Sequence, residues 1–133
     1  MSGILVDSDV LIDVLRRRKE DLVRNWVELA TAGEPLFYSP VSLAEIRHGM
    51  REREREGIER LFAGMTCLPI DEEAGSLAGD YLRAFHASHS MALGDALIAA
   101  TASVHRLALW TQNHKHFPMK DVRFFEPTEQ PDL

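Results

Sequence analysis

Apolar positions along this chain fall into two rhythms. Ile4-Leu5-Val6 is an unbroken apolar run cut off by Asp7-Ser8-Asp9, the signature of a short strand buried on both faces. Val10-Leu11-Ile12 and Val14-Leu15 then predict a short helix that ends in Arg16-Arg17-Arg18-Lys19. Leu22, Trp26 and Leu29 mark one face of a second helix, with Gly33 as its stop. Pro35 to Ser39 predicts a second strand, and Ser39 caps a helix with Pro40 at its first position. That helix has Leu43, Ile46 and Met50 as its core stripe and carries Glu45.

Further on, Arg51-Glu52-Arg53-Glu54-Arg55-Glu56 alternates in sign at period two, which gives opposite charges at i,i+3 but like charges at i,i+4. It predicts a weak, exposed helical extension that breaks at Gly57. Ile58, Leu61, Phe62 and Met65 form an apolar stripe on a short helix, and this helical hairpin is a candidate protein-contact surface. Cys67 to Ile70 predicts a third strand. Asp71 caps a strongly amphipathic helix through Phe85, with Glu72 and Glu73 where the helix dipole favours them. A helix rich in small residues runs from Gly94 to His105, followed by a strand at Leu107 to Thr111 and a polar loop, Gln112 to Pro118. A last strand is expected in Val122 to Phe125. Strands alternating with helices predict an α/β fold with a parallel, doubly wound sheet.

With 133 residues, 45% of them hydrophobic, the chain fits one domain, residues 1–126, with a frayed tail at 127–133. The net charge of −6 argues against coating nucleic acid by bulk charge but leaves room for a basic rim at Arg16 to Lys19 or around Arg47 to Arg60. The single cysteine forbids an internal disulfide and suits a reducing cytoplasm; Cys67 is expected in a buried strand. No run approaches the ~20 apolar residues of a membrane span and no basic leader precedes an apolar stretch, so a soluble, cytoplasmic protein is expected.

The candidate chemistry is acidic. Asp7, Glu45 and Asp95 each sit among apolar or small residues rather than in a solvated charge cluster. Two ionised carboxylates about 5 Å apart repel by about 3 kcal/mol at an effective dielectric near 20. Three converging acids must therefore take up protons or bind a hard divalent ion, and oxygen-only ligands favour Mg²⁺ or Mn²⁺. No Cys or His spacing matches a zinc site. Asp7-Ser8-Asp9 also suits a haloacid-dehalogenase-like phosphatase, but that family needs a Thr where this chain has Leu11.

Ile4 to Asp13 resembles the opening motif of PIN-domain proteins, most closely the VapC toxin group. Three further motifs agree in order and spacing: Ser42-Leu43-Ala44-Glu45-Ile46, Gly94-Asp95-Ala96-Leu97-Ile98-Ala99-Ala100-Thr101-Ala102, and Thr111-Gln112-Asn113-His114-Lys115-His116-Phe117-Pro118. The resemblance implies a PIN-like three-layer α/β/α fold with a central, mostly parallel sheet. It implies a metal-dependent endoribonuclease acting on RNA, the toxin of a toxin–antitoxin pair, dimeric, held by a small VapB-like antitoxin and meeting DNA only through it, with no membrane contact. Mapped here, Asp7, Glu45 and Asp95 would bind the metal, Asn113 would hold the fourth position, and Thr111 or Ser8 would orient water or a carboxylate.

The chain departs from the fullest pattern at Asn113, where some relatives carry an acid, and at Asp9, more often Asn, Ser or Thr, which could restore part of that charge. His114 and His116 lie in the site loop and His48 lies beyond Glu45; His86, His89 and His105 read as helix-end residues, and Asp13 as helix surface. The competing reading is a non-catalytic PIN-like dimerisation or partner-binding module.

Overall fold

A computed structural model describes residues 2–127. Four short parallel strands, Ile4–Val6 (β1), Leu36–Tyr38 (β2), Thr66–Cys67 (β3) and Ala108–Trp110 (β4), form one sheet in the order β3-β2-β1-β4. Six helices flank it: Ser8–Leu15 (α1), Glu20–Thr31 (α2), Pro40–Gly49 (α3), Arg55–Ala63 (α4), Glu72–His89 (α5) and Leu93–His105 (α6). β1 is central, with Ile4 opposite both Leu36 and Ala108, and Val6 opposite Trp110.

Alternation along the central strands divides the core in two. Leu5 and Leu109 face α5 and α6, joining Ala78, Tyr81, Ala96, Ile98, Ala99 and Ala102. The small side chains of α6, all but sealed from solvent, let that helix lie close on the sheet. Ile4, Val6 and Trp110 face the other way, against Val10, Leu11, Leu22, Ile58 and Phe62 of α1, α2 and α4. There Trp110 stacks on Trp26 at 6.2 Å between centroids and meets the edge of Phe125 at 5.2 Å. The result is the expected three-layer α/β/α sandwich, with an all-parallel rather than mostly parallel sheet.

The structure corrects several local expectations. The strand expected at Val122 to Phe125 shrinks to one parallel bridge, Phe124 with Leu109, closed by Leu109 N–H to Arg123 O (2.7 Å) and Phe125 N–H to Leu109 O (2.8 Å). Cys67 is exposed, because β3 is a two-residue edge strand paired on one side only. The alternating segment forms a 3₁₀ turn at Glu52–Glu54, where Arg51 N–H and Arg16 both bond Glu54. Gly57 does not end a helix but lies inside α4, where a Cβ would stand 3.3 Å from Leu15 Cδ1. Apart from Pro127, the expected frayed tail lies outside the described residues.

Gly3 sets the entry to β1. Its φ is +134°, and a Cβ there would come 2.6 Å from Phe37 Cε2 and 2.8 Å from the Pro35 carbonyl oxygen. Gly3→Ala is therefore expected to destabilise the fold by at least about 2 kcal/mol, through backbone strain and overlap together. Urea denaturation monitored by tryptophan fluorescence measures it, and a midpoint unchanged from wild type would contradict the assignment.

Candidate active site at the carboxyl end of the sheet

The chain winds from β1 outward through β2 to β3, then crosses back to place β4 on the other side of β1. Strand order reverses between β1 and β4, and such a switch point opens a crevice at the carboxyl ends of the two strands. Asp7 follows β1 directly and Thr111 follows β4 directly. The backbone ties them together, since Asp7 N–H donates to the Trp110 carbonyl at 2.9 Å.

The side chains extend that tie. Asp7 caps α1, its Oδ1 accepting from Ser8 N–H at 2.8 Å, while its Oδ2 accepts from the Thr111 hydroxyl at 2.8 Å. The Ser8 hydroxyl lies 2.9 Å from Glu45 Oε1 and 3.0 Å from Ser42 Oγ, which brings α3 to the same crevice. Asp95 stands in the first turn of α6 with His116 Nδ1 3.6 Å from its Oδ2. The preceding Gly94 permits the approach of α3 to α6: a Cβ there would sit 3.2 Å from Val41 Cγ1 and 4.0 Å from Glu45 Oε1. Asp9 turns toward the β4 end, its Oδ1 accepting from Val10 N–H (2.7 Å) and its Oδ2 from Gln112 N–H (3.0 Å).

Burial governs the electrostatics. Asp7 is only 7% exposed, and desolvation first, then the charge of Asp9 and more weakly that of Asp95, pushes its pKa up to about 7. The hydrogen bonds from Thr111 and Ser8 N–H act the other way without cancelling burial. Asp9 is raised as well, chiefly by burial. Among the described residues, no lysine or arginine forms an ion pair with Asp7, Asp9, Glu45 or Asp95. The crevice is thus rich in hard oxygen donors and short of positive charge, a donor set that fits a hard divalent ion. Among the described residues no three of His, Cys, Asp or Glu are gathered tightly enough to enclose an ion by themselves. An ion such as Mg²⁺, which keeps several waters and takes substrate oxygens, does not require that enclosure.

Not every residue singled out from the sequence points inward. Asn113 donates its backbone N–H to Thr111 Oγ1 at 3.1 Å, but the residue is exposed. His114 lies flat on Phe124, 4.0 Å between centroids and 6° between planes. His48 is exposed on α3. Two residues that stand inside the motifs have no role of their own in the sequence reading. Ser42 is fully buried three positions before Glu45, and that spacing on one helix face was its signal. Gln112 donates from Nε2 to Asp13 Oδ2 at 2.8 Å, and nothing local separated it from ordinary loop polarity. Asp13 accordingly is not helix surface: its side chain is 14% exposed, covered by Gln112, Arg18 and Lys19.

Because the carboxyl of Asp7 is held above its ordinary value of 3.8, the folded state binds its proton more tightly than the unfolded chain does. The contribution to stability is complete below about pH 4, declines as pH rises to about 7, and is absent above it. Asp7→Asn, which cannot ionise, is expected to be more stable than wild type at pH 8 by about 1–3 kcal/mol, with the gap closing near pH 4. Thermal melts of both proteins across that range check the sign; a gap that is constant with pH would refute it.

Comparison with known proteins agrees with this architecture. The sequence model of the PIN domain matches residues 4–123. Ribonuclease VapC10 of Mycobacterium tuberculosis is 47% identical over 117 residues, 87% of this chain and 86% of that protein. Toxin FitB of Neisseria gonorrhoeae is 30% identical over 138 residues, covering 93% and 97% of the two chains. A chain in the crystal structure of VapBC2 from Rickettsia felis bound to a promoter DNA fragment superposes with a TM-score of 0.78 over 94% of this chain and 98% of its own, at 17% identity, a likeness of fold. A chain matched by that domain over almost all its length, with its acids at the switch point of such a sheet, belongs to the PIN-domain family.

Proposed function

We propose that this protein is a divalent-metal-dependent endoribonuclease that hydrolyses RNA phosphodiester bonds, and that it is the toxin of a toxin–antitoxin pair. The observation that carries the reading is a desolvated carboxylate, Asp7, fixed on both oxygens at the sheet's switch point with further acids around it and no basic partner. The 47% identity to a protein named a ribonuclease and the 30% identity to one named a toxin support the reading. The phosphatase alternative finds no support, because Leu11, where it needs a hydroxyl, is wholly buried in the core.

Asp7, Asp95 and Glu45 would hold Mg²⁺ or Mn²⁺, with Asn113 at the rim. When bound, such an ion lowers the pKa of a coordinated water and stabilises charge on the phosphate. The chain's own residues prepare the site. Thr111 directs one oxygen of Asp7, Ser8 N–H directs the other, and the Ser8 hydroxyl, backed by buried Ser42, steers Glu45. Asp7 and Glu45 are thereby oriented before substrate arrives. Residues 1–126 act as one domain, in the cytoplasm and as a homodimer. Among the described residues no helix is long and apolar enough to cross a membrane.

A VapB-like antitoxin has a place to dock. A cavity of about 280 Å³ opens between α3 and α4, lined by Tyr38, Leu43, Met50, Ile58 and Phe62 with Arg47 at its edge. Tyr38 and Phe62 rings meet inside it at 4.4 Å. An apolar side chain of a partner helix would fill this space, with acidic neighbours facing Arg47.

Two outcomes are expected. Purified protein free of antitoxin cuts single-stranded RNA in Mg²⁺ or Mn²⁺, EDTA stops it, and Asp7→Asn or Asp95→Asn slows it at least about 100-fold, by gel assay. Cleavage indifferent to EDTA and to both variants would end the nuclease reading. Ala63→Glu, at the exposed end of the cavity, is expected to weaken antitoxin binding at least about tenfold in calorimetry while leaving cleavage unchanged, because it places a charge against the apolar lining.

A further inference from the structure

A molecule of net charge −6 with acids at its site must still attract a polyanion, and its arginines are not equally free to do so. Arg16 is committed to Glu54 by two bonds, at 2.9 and 3.1 Å. Arg55 is committed to Glu52 at 2.8 Å and Arg24 to Asp21 at 2.9 Å, whereas Arg60, 3.9 Å from Glu56, is only loosely held. What sets the turn after α1 apart is its link to the acidic crevice. There Arg18 Nη1 lies 3.5 Å from Asp13 Oδ1 and Lys19 Nζ lies 3.9 Å from Asp13 Oδ2, one carboxylate between two cations. Both cations keep more than half of their side-chain surface exposed, 53% and 58%.

This turn is joined to the acidic crevice through one side chain. Gln112 donates to Asp13 Oδ2 at 2.8 Å, accepts from Lys19 Nζ, and uses its backbone N–H on Asp9 Oδ2 at 3.0 Å. The residue that follows Thr111 at the end of β4 therefore sets the distance between the basic turn and the acids of the site. Arg17 completes the turn: its φ is +50°, in the left-handed region, and its side chain is exposed.

We propose that Arg17, Arg18 and Lys19 form the rim on which RNA phosphates dock beside the crevice, and that Gln112 and Asp13 are positioning residues that hold Lys19 and Arg18 in place. The inference rests on the nuclease reading for its ligand, but not on metal or on cleavage. Phosphate neutralisation by the rim aligns the strand along the crevice, so these residues govern binding rather than the chemical step.

Fluorescence anisotropy of a labelled single-stranded RNA of mixed sequence, titrated in EDTA across a range of NaCl, tests it. Lys19→Ala and Arg18→Ala are each expected to weaken binding about three- to tenfold at low salt and to lower the salt slope by about 0.7, the value for one phosphate contact on a single strand. Arg17→Gly is expected to weaken binding while leaving the melting temperature equal or higher, a combination that a structural role would not produce. Arg53→Ala, which removes the same charge from the 3₁₀ turn, should leave affinity unchanged. Gln112→Ala should weaken binding, and Gln112→Ala with Lys19→Ala should be no weaker than Lys19→Ala alone.

Affinity and salt slope unchanged in all three rim variants, or an equal loss in Arg53→Ala, would overturn the rim. Multiplicative losses in the double variant would overturn the positioning role of Gln112. Cleavage measured in parallel with Mn²⁺ keeps the two readings apart. Wild-type cleavage with unaffected rim variants leaves the nuclease standing and removes the rim, whereas no metal-dependent cleavage by wild type removes the nuclease whatever the rim does.

Discussion

A carboxylate taken out of water at the carboxyl end of β1 is the constraint around which this protein is arranged. Asp7 is nearly sealed, its pKa is driven up to about 7 mainly by burial, and no lysine or arginine of the described residues pairs with it. A small domain is stable by roughly 5–15 kcal/mol in all, so an uncompensated buried charge is a large liability. It is tolerated because the surroundings supply hydrogen-bond donors instead of counter-charge: the Thr111 hydroxyl on one oxygen and the Ser8 N–H on the other. Donors of that kind fix the carboxylate's direction while leaving its negative charge available to a cation.

The fold explains why the donors are where they are. Three-residue strands put Asp7 and Thr111 at the same level on neighbouring strands, with Val6 opposite Trp110 one step below. The two cores clamp that level from both sides, α6 with its small residues and α1 with Val10 and Leu11. Gly94 thins the wall between α3 and α6 so that Glu45 and Asp95 face the same crevice. The site inherits rigidity from packing that buries almost no polar group unpaired: among the described residues no buried side-chain nitrogen or oxygen lacks a hydrogen-bond partner.

Negative charge at the centre and positive charge at the edge are parts of one arrangement. Gln112 reaches both, holding Asp9 through its backbone and Asp13 and Lys19 through its amide. Beside the apolar cavity between α3 and α4, Arg55 pairs with Glu52 and Arg60 with Glu56, while Arg47 stands at the cavity's edge. The acidic crevice with its basic turn and the apolar cavity thus differ in chemistry, the first suited to a polyanion and the second to an apolar side chain.

The amino-acid sequence alone determined the alternation of strands and helices, because apolar runs and amphipathic spacing are local properties that burial on a parallel sheet demands. It also determined Asp7, Glu45 and Asp95 as the residues to watch, since acids embedded in apolar surroundings stand out in a linear pattern, and four ordered motifs carried the family. Local pattern could not decide which polar residues would be brought together from afar. Gln112 read as loop polarity and Asp13 as surface, until the crossover to β4 set residue 112 against residues 9 and 13. Cys67 and the segment at Val122 to Phe125 misled for the same reason: a strand's burial and length depend on whether a neighbour lies on each side, and at the sheet's edges only one does.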